Sequence, residues 1–143
     1  MPVSGLSTGI DVSFVINDPN TNSTLNLGRV TGFDRRQNTS KLESDAINGP
    51  PIFGTTYRGW SGTITFERNG PQCDQFFAQL EANYYNGVTI LTGTILETIK
   101  EISGLTQWRY NGVDFDFSDA GRITQRDFIK MTVTWRAQTR VQA

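Results

Sequence analysis

The sequence predicts a mainly β fold, an antiparallel β-sandwich or barrel with one α-helix packed on one side. Three observations carry that reading. Short runs of alternating apolar and polar residues recur along the chain, as half-buried strands require. Clusters of Gly, Asn, Asp, Ser and Pro separate those runs with turn chemistry. A single segment, 71–86, shows helical spacing instead. At 143 residues the chain suits one domain spanning 1–143 and can bury a core without metals or disulfides.

Residues 1–9 are small and polar and read as an extended N-terminal arm. Ile10, Val12, Phe14 and Ile16 then alternate as a strand, which Asp18-Pro19-Asn20 breaks. A second strand is expected from about Leu25 to Arg36. The segment 37–56 shows no clear period, and Gly49-Pro50-Pro51 argues against regular structure there. From Tyr57 to Arg68 the alternation is clean. Trp60, Gly62, Ile64 and Phe66 share one face, with Ser61, Thr63, Thr65 and Glu67 on the other.

Pro71 suits a first helical turn, Asp74 the positive helix end and Asn86-Gly87 the stop. Within that helix Cys73, Phe76, Phe77, Leu80 and Tyr84 form one apolar stripe. Val88–Ile102 reads as strand with a break at Gly93, and Ser103-Gly104 as a turn. Asn111-Gly112 ordinarily marks a hairpin. Because Val113, Phe115 and Phe117 resume the pattern at once, a bulge within one long strand is expected. After a turn at 118–121, Ile129, Met131, Val133 and Trp135 oppose Lys130, Thr132, Thr134 and Arg136. The expected total is six or seven strands.

Composition removes whole classes of chemistry. With no histidine there is no Ser-His-Asp triad and no imidazole ligand, and one cysteine allows no internal disulfide. Thirteen Lys and Arg against fourteen Asp and Glu leave no surplus charge for gripping nucleic-acid phosphates. Neither a ~20-residue apolar span nor a signal peptide is visible, so a soluble protein of a reducing cytosol is expected. No cofactor, metal or enzymatic activity is expected.

Asp18, Asn20, Asn22 and Thr24 imitate a calcium loop, but Ser23 and Arg29 stand where glycine and glutamate are needed. A plain turn is the reading there. The sequons at Asn22 and Asn38 are read as accidental. Cys73 reads as a small core residue. Glu97 and Glu101, spaced along a strand, read as a solvated face, and Arg35-Arg36 as salt-bridged or inter-subunit.

The segment 37–56 is the oddity. Structureless loops beyond about 12–15 residues are uncommon in compact domains and are often functional. Ile47, Ile52 and Phe53 beside Pro50 and Pro51 argue for docking on something. Extended, about 20 residues reach roughly 65 Å, far enough to touch a neighbouring subunit. Lys41, Ile47, Pro50, Pro51, Ile52 and Phe53 are the expected inter-subunit residues.

The layout resembles the phage tail tube proteins, specifically the short single-domain inner tubes of contractile tails. The resemblance covers nearly the whole chain. It rests on a hairpin tipped by 37–56, on the run Tyr57-Arg58-Gly59-Trp60-Ser61-Gly62-Thr63-Ile64-Thr65-Phe66-Glu67-Arg68, and on a helix ending near Leu80-Glu81-Ala82-Asn83-Tyr84-Tyr85. Paired strands holding Tyr110-Asn111-Gly112-Val113 and Asp119-Ala120-Gly121 complete it. The resemblance implies homohexameric rings stacked into a tube for genome delivery, with sheath, baseplate and tape-measure partners. It implies a place in the virion tail, assembly in the host cytoplasm, no membrane and no catalytic residues. The alternatives are a baseplate or tail-terminator ring protein of the same fold, or a carbohydrate-binding or adhesion β-sandwich.

Six subunits lending about four strands each to a shared barrel would enclose a lumen wider than the channel of a 16–18-stranded porin. A DNA conduit should be hydroxyl-rich and neutral or acidic, so that it does not hold phosphates. The lumen-facing set expected on that basis is Ser61, Thr63, Thr65, Glu67, Asp114, Asp116, Lys130, Thr132, Thr134 and Arg136. Lys130 and Arg136 fit only if acids across the strands neutralise them.

Overall fold

In the computed structural model, residues 4–5, 12–18, 23–25, 29–88 and 92–143 are described. Apart from Ser4 and Gly5, the arm expected at 1–9 lies outside them, as do residues 19–22 of the calcium-like turn. Alternation builds the strands in chain order. They are β1 (Val12–Asp18), β2 (Ser23–Leu25), β3 (Arg29–Phe33), β4 (Arg36–Ser44) and β5 (Ile52–Glu67). The helix α1 (Gln72–Tyr85) follows, then β6 (Gly93–Glu101), β7 (Gly104–Asp119), β8 (Lys130–Ala137) and β9 (Thr139–Gln142).

The strands form one curled antiparallel sheet, a half-barrel in the order β2-β1-β6-β7-β8-β5-β3, with β4 added to β5 and β9 to β7. The described residues thus hold nine strands rather than six or seven. The expected second strand is three pieces, 23–25, 29–33 and 36–44. Asp34 and Arg35 interrupt it, and there the Asp34 and Thr63 backbones exchange hydrogen bonds of 2.8 and 3.2 Å.

The segment 37–56 is also corrected. It is not irregular: β4 and the first part of β5 pair from Arg36↔Ser61 out to Ser44↔Ile52. The prolines sit in the connecting tip, residues 45–51, where no ladder bond is required of them. Alternation was invisible because neither face of this ribbon is buried.

β7 runs through both halves of the sheet. Its first half pairs with β6 and β9, its second with β8. Between Gly93↔Val113 and Ile95↔Tyr110 it carries one extra residue, and Gly112 there has φ +61°. The bulge expected at Asn111-Gly112 is present, and it keeps both Tyr110 and Val113 on the core side.

The core lies between the two halves of the curl. Ile64 and Phe66 from β5, Met131, Val133 and Trp135 from β8, Val113 from β7 and Ile95 from β6 are all buried. The helix closes one side through Phe76, edge-on to Phe115 at 5.9 Å, and Phe77, stacked on Phe117 at 4.8 Å. Cys73 is buried among them, and burial with neighbouring Asp74 pushes its thiol up to about 12. Tyr84 does not join the stripe. It is exposed at the helix end, edge-on to Tyr85.

Candidate assembly interface

The ten residues expected on one polar face do share it. β5 lies beside β8, and β8 beside β7, so the register aligns Thr63 with Thr134, Thr65 with Thr132, Ser61 with Arg136 and Glu67 with Lys130. Across the other edge of β8, Asp114 aligns with Arg136 and Asp116 with Thr134. All ten point away from the core, since their strand neighbours Gly62, Ile64, Phe66, Met131, Val133, Trp135, Val113 and Phe115 are buried.

This face is a hydroxyl strip edged with charge. Thr134 Oγ1 donates to Ser118 Oγ at 3.1 Å, and Ser118 Oγ to the Thr132 carbonyl at 3.1 Å. Arg136 Nη2 donates to Asp114 Oδ2 at 2.8 Å, and that bond holds the guanidinium charged above its ordinary range. The required neutralisation of Arg136 is therefore observed, while Lys130 faces Glu67 across the ladder without an ion pair between them.

The second surface is the ribbon of β4 and β5. Ile47 at its tip is fully exposed, and Ile52 and Phe53 are 70% and 71% exposed. Leu42 and Tyr57, which sequence reasoning passed over, are exposed beside them. Both edges of the ribbon are open over 52–59, because β8 reaches β5 only as far as Trp60↔Ala137. Lys41 Nζ donates to Thr55 Oγ1 at 3.1 Å, so it braces the ribbon rather than standing free.

At the base of the ribbon lies a cluster that sequence reasoning misread. Glu97 is not on a solvated face: it is 1% exposed, pairs with Arg35 and accepts a hydrogen bond from Tyr110 at 2.9 Å. The signal was present, because Glu97 falls in register with Ile95 and Ile99 on β6. Arg35 is salt-bridged to it, and Arg36 bonds Asp34 at 3.3 Å. Burial raises the Tyr110 hydroxyl pKa, while Arg140 and Arg35 pull it back. Arg140 from β9 lies over Trp108 at 3.9 Å and over Trp60 at 4.5 Å, and its burial lowers its pKa.

A third surface was not anticipated. The loop 120–129 and the ends of β5 and β8 enclose a cleft of about 710 Å³ lined by Glu67, Asp119, Arg122, Thr124, Arg126, Asp127, Phe128 and Lys130. Ile123 and Phe128 stand exposed around it. Among the described residues, no group of His, Cys, Asp and Glu could hold a metal, and no helix could cross a membrane.

A half-barrel with one helix and a protruding ribbon has counterparts among solved structures. The SPP1 tail tube superposes with a TM-score of 0.64 at 12% identity, over 95% of this chain and 78% of that one. The fold is shared with tail tube proteins. The PVC sheath/tube terminator of an extracellular contractile injection system gives 0.60 at 12% identity, over 100% and 96% of the two chains. The tube-terminating cap of the anti-feeding prophage gives 0.59 at 12% identity, over 100% and 95%. No protein-family model and no curated protein sequence matches the chain. The tail-tube fold therefore rests on structure, and these neighbours are structural proteins of tails and injection machines.

Proposed function

We propose that this chain is a structural, non-enzymatic subunit of a phage tail tube, built as homohexameric rings stacked into a conduit for genome delivery. One observation carries the reading. A chain with the tail-tube fold presents ten hydroxyl and charged residues on one uncovered sheet face, backed by its own core. In a shared barrel that face lines the lumen. Its threonines offer DNA no fixed cations, and Asp114 occupies Arg136.

Ring formation also accounts for the open ribbon edges and exposed apolar tip, which are hazards on a lone monomer. Sheath, baseplate and tape-measure proteins are the further partners, and the virion tail is the location, reached from the host cytoplasm. No cofactor takes part.

Negative-stain microscopy of the purified chain tests the proposal, with six-fold rings and hollow tubes as the expected result. A monodisperse monomer at high concentration, with no rings, overturns it. A tube-terminator role is the second reading, favoured by superposition over the whole chain on two terminator proteins. It predicts particles that stop at one ring.

A further inference from the structure

β5 and β8 run side by side as far as Trp60↔Ala137 and then part. β8 continues through Gln138 into β9, which pairs with β7 from Asn111↔Thr139 to Trp108↔Gln142. The other branch, β5 beyond Trp60, is the ribbon and pairs with β4. The sheet forks here.

Two glycines make the fork. Gly59 has φ +83° and Gly112 φ +61°, and they flank the Ala137-Gln138 step from either side. A Cβ on Gly59 would collide with the Ala137 carbonyl, and one on Gly112 would lie 2.6 Å from Gln138 Cδ. Left-handed backbone packed this closely turns β5 away from β9. A two-stranded ribbon leaving through such a pivot has little of its own to hold its direction.

Arg140 closes the fork from the core side. It belongs to β9, yet its guanidinium lies over Trp60 of β5 at 4.5 Å as well as over Trp108 of β7 at 3.9 Å. Trp60 in turn stands edge-on to the buried Tyr110 at 6.1 Å, so the clasped ring is seated against the core. The clasp uses ring faces and no counter-charge. Arg140 has no ion-pair partner among the described residues, and its Nε is buried without an acceptor. Such a group is a poor choice for stability alone. A planar cation held between two rings does fix their relative position. The pair Arg35–Glu97 holds the β4 side of the ribbon root, and Arg140 the β5 side. One anchor leaves a pivot, whereas two define a direction.

We propose that Arg140 is the positioning residue of the ribbon: clasped by Trp60 and Trp108, it fixes the angle at which the ribbon leaves the sheet and so keeps the subunit ready to assemble. The last clause rests on the self-assembly proposed above, while the angle is a property of the single chain. A ribbon free to swing spends only a fraction of its time at the angle a ring requires. Apparent affinity between copies falls in proportion to that fraction.

Spin labels on Ser44→Cys in the ribbon and Gln75→Cys on the helix, both exposed positions, measure the angle in the dissociated full chain. Cys73 is buried and stays unlabelled. One narrow distance distribution is expected. Arg140→Ala and Arg140→Lys should each spread it, since lysine keeps the charge but not the plane. Val141→Ala, on the opposite face of the same strand, should leave it narrow. Without labels, Arg140→Ala should raise the concentration needed for tube growth about ten-fold while unfolding stays cooperative. An unchanged narrow distribution in both Arg140 variants overturns the inference, as it does in Arg140→Lys alone if the alanine variant does not fold. Spread distances with unchanged tube growth overturn the assembly role. If the unmodified chain forms no tubes, the tube reading falls, and the distances still decide the clasp.

Discussion

Arg35, in the two-residue break between β3 and β4, reaches across the open side of the curl to pair with Glu97 of β6. That single bond ties the root of the ribbon to the opposite half of the sheet. Tyr110 of β7 supplies a second bond to the same carboxylate, so the buried charge is held from a strand and from the β3–β4 break.

The pair is asymmetric, and its two truncations should differ. Arg35→Ala leaves a carboxylate buried without its cation and should cost about 3–5 kcal/mol. Glu97→Gln leaves a guanidinium whose side chain is 36% exposed and open to water, so a cost of about 1–2 kcal/mol is expected. Urea unfolding measures both. Equal costs would show that the carboxylate is not the buried partner.

Gly62 has the least room for a side chain of the described glycines. A Cβ there would collide with the Asp34 carbonyl and press on the Trp135 ring, at the place where Asp34 and Thr63 exchange backbone bonds. Gly62→Ala should destabilise by more than about 3 kcal/mol. Ser61→Ala, which loses the bond accepted from Asn38 Nδ2 at 3.1 Å and the one donated to Asn38 Oδ1 at 3.2 Å, should stay near about 1 kcal/mol. Thermal unfolding of the two variants side by side decides it.

Alkaline pH should weaken the fold. Cys73 moves from 9.0 to about 12, chiefly by burial, and Tyr110 moves up from 10.0. In both cases the fold favours the neutral form. The Cys73 contribution is complete below about pH 9 and is lost as pH rises towards 12, and that of Tyr110 begins to fall as pH passes its ordinary value of 10.0. At pH 8 the native Cys73 thiolate should be about a thousand-fold scarcer than in the unfolded chain. Iodoacetamide labelling should therefore require urea. Rapid labelling of native protein would place the thiol outside the core.

For the polar face, Thr63→Lys with Thr132→Lys should leave tubes intact and slow genome ejection from assembled particles, with salt relieving the delay. Disrupted assembly with unchanged ejection would place these threonines at packed interfaces instead.

Much of this was legible in the sequence wherever one side of a strand is buried. Period-two alternation separated Ile64 and Phe66 from Thr63 and Thr65, and the bulge at Gly112 could be read from the uninterrupted pattern around it. β4 escaped notice because burial, the source of the alternation, is missing along a ribbon exposed on both faces. Glu97 was misread for the opposite reason: a charge on an apolar face is anomalous until its partner is known, and Arg35 lies 62 positions away. The cleft has no periodic signature. Only folding brings the 120–129 loop to the end of β5.

The pairing of β5 with β8 also has a consequence for synthesis. On the ribosome the ribbon emerges some seventy residues before Lys130–Ala137, the strand that must flank β5 in the finished sheet. For that interval the whole of β5 has an open edge, with Ile52, Phe53 and Tyr57 already available to neighbouring nascent chains. Lys41, Glu43 and Arg58 sit among those apolar residues, and charges so placed discourage indiscriminate strand pairing. Because β8 covers β5 only from Trp60 to Glu67, those charges guard the ribbon both before and after the C-terminal strands arrive.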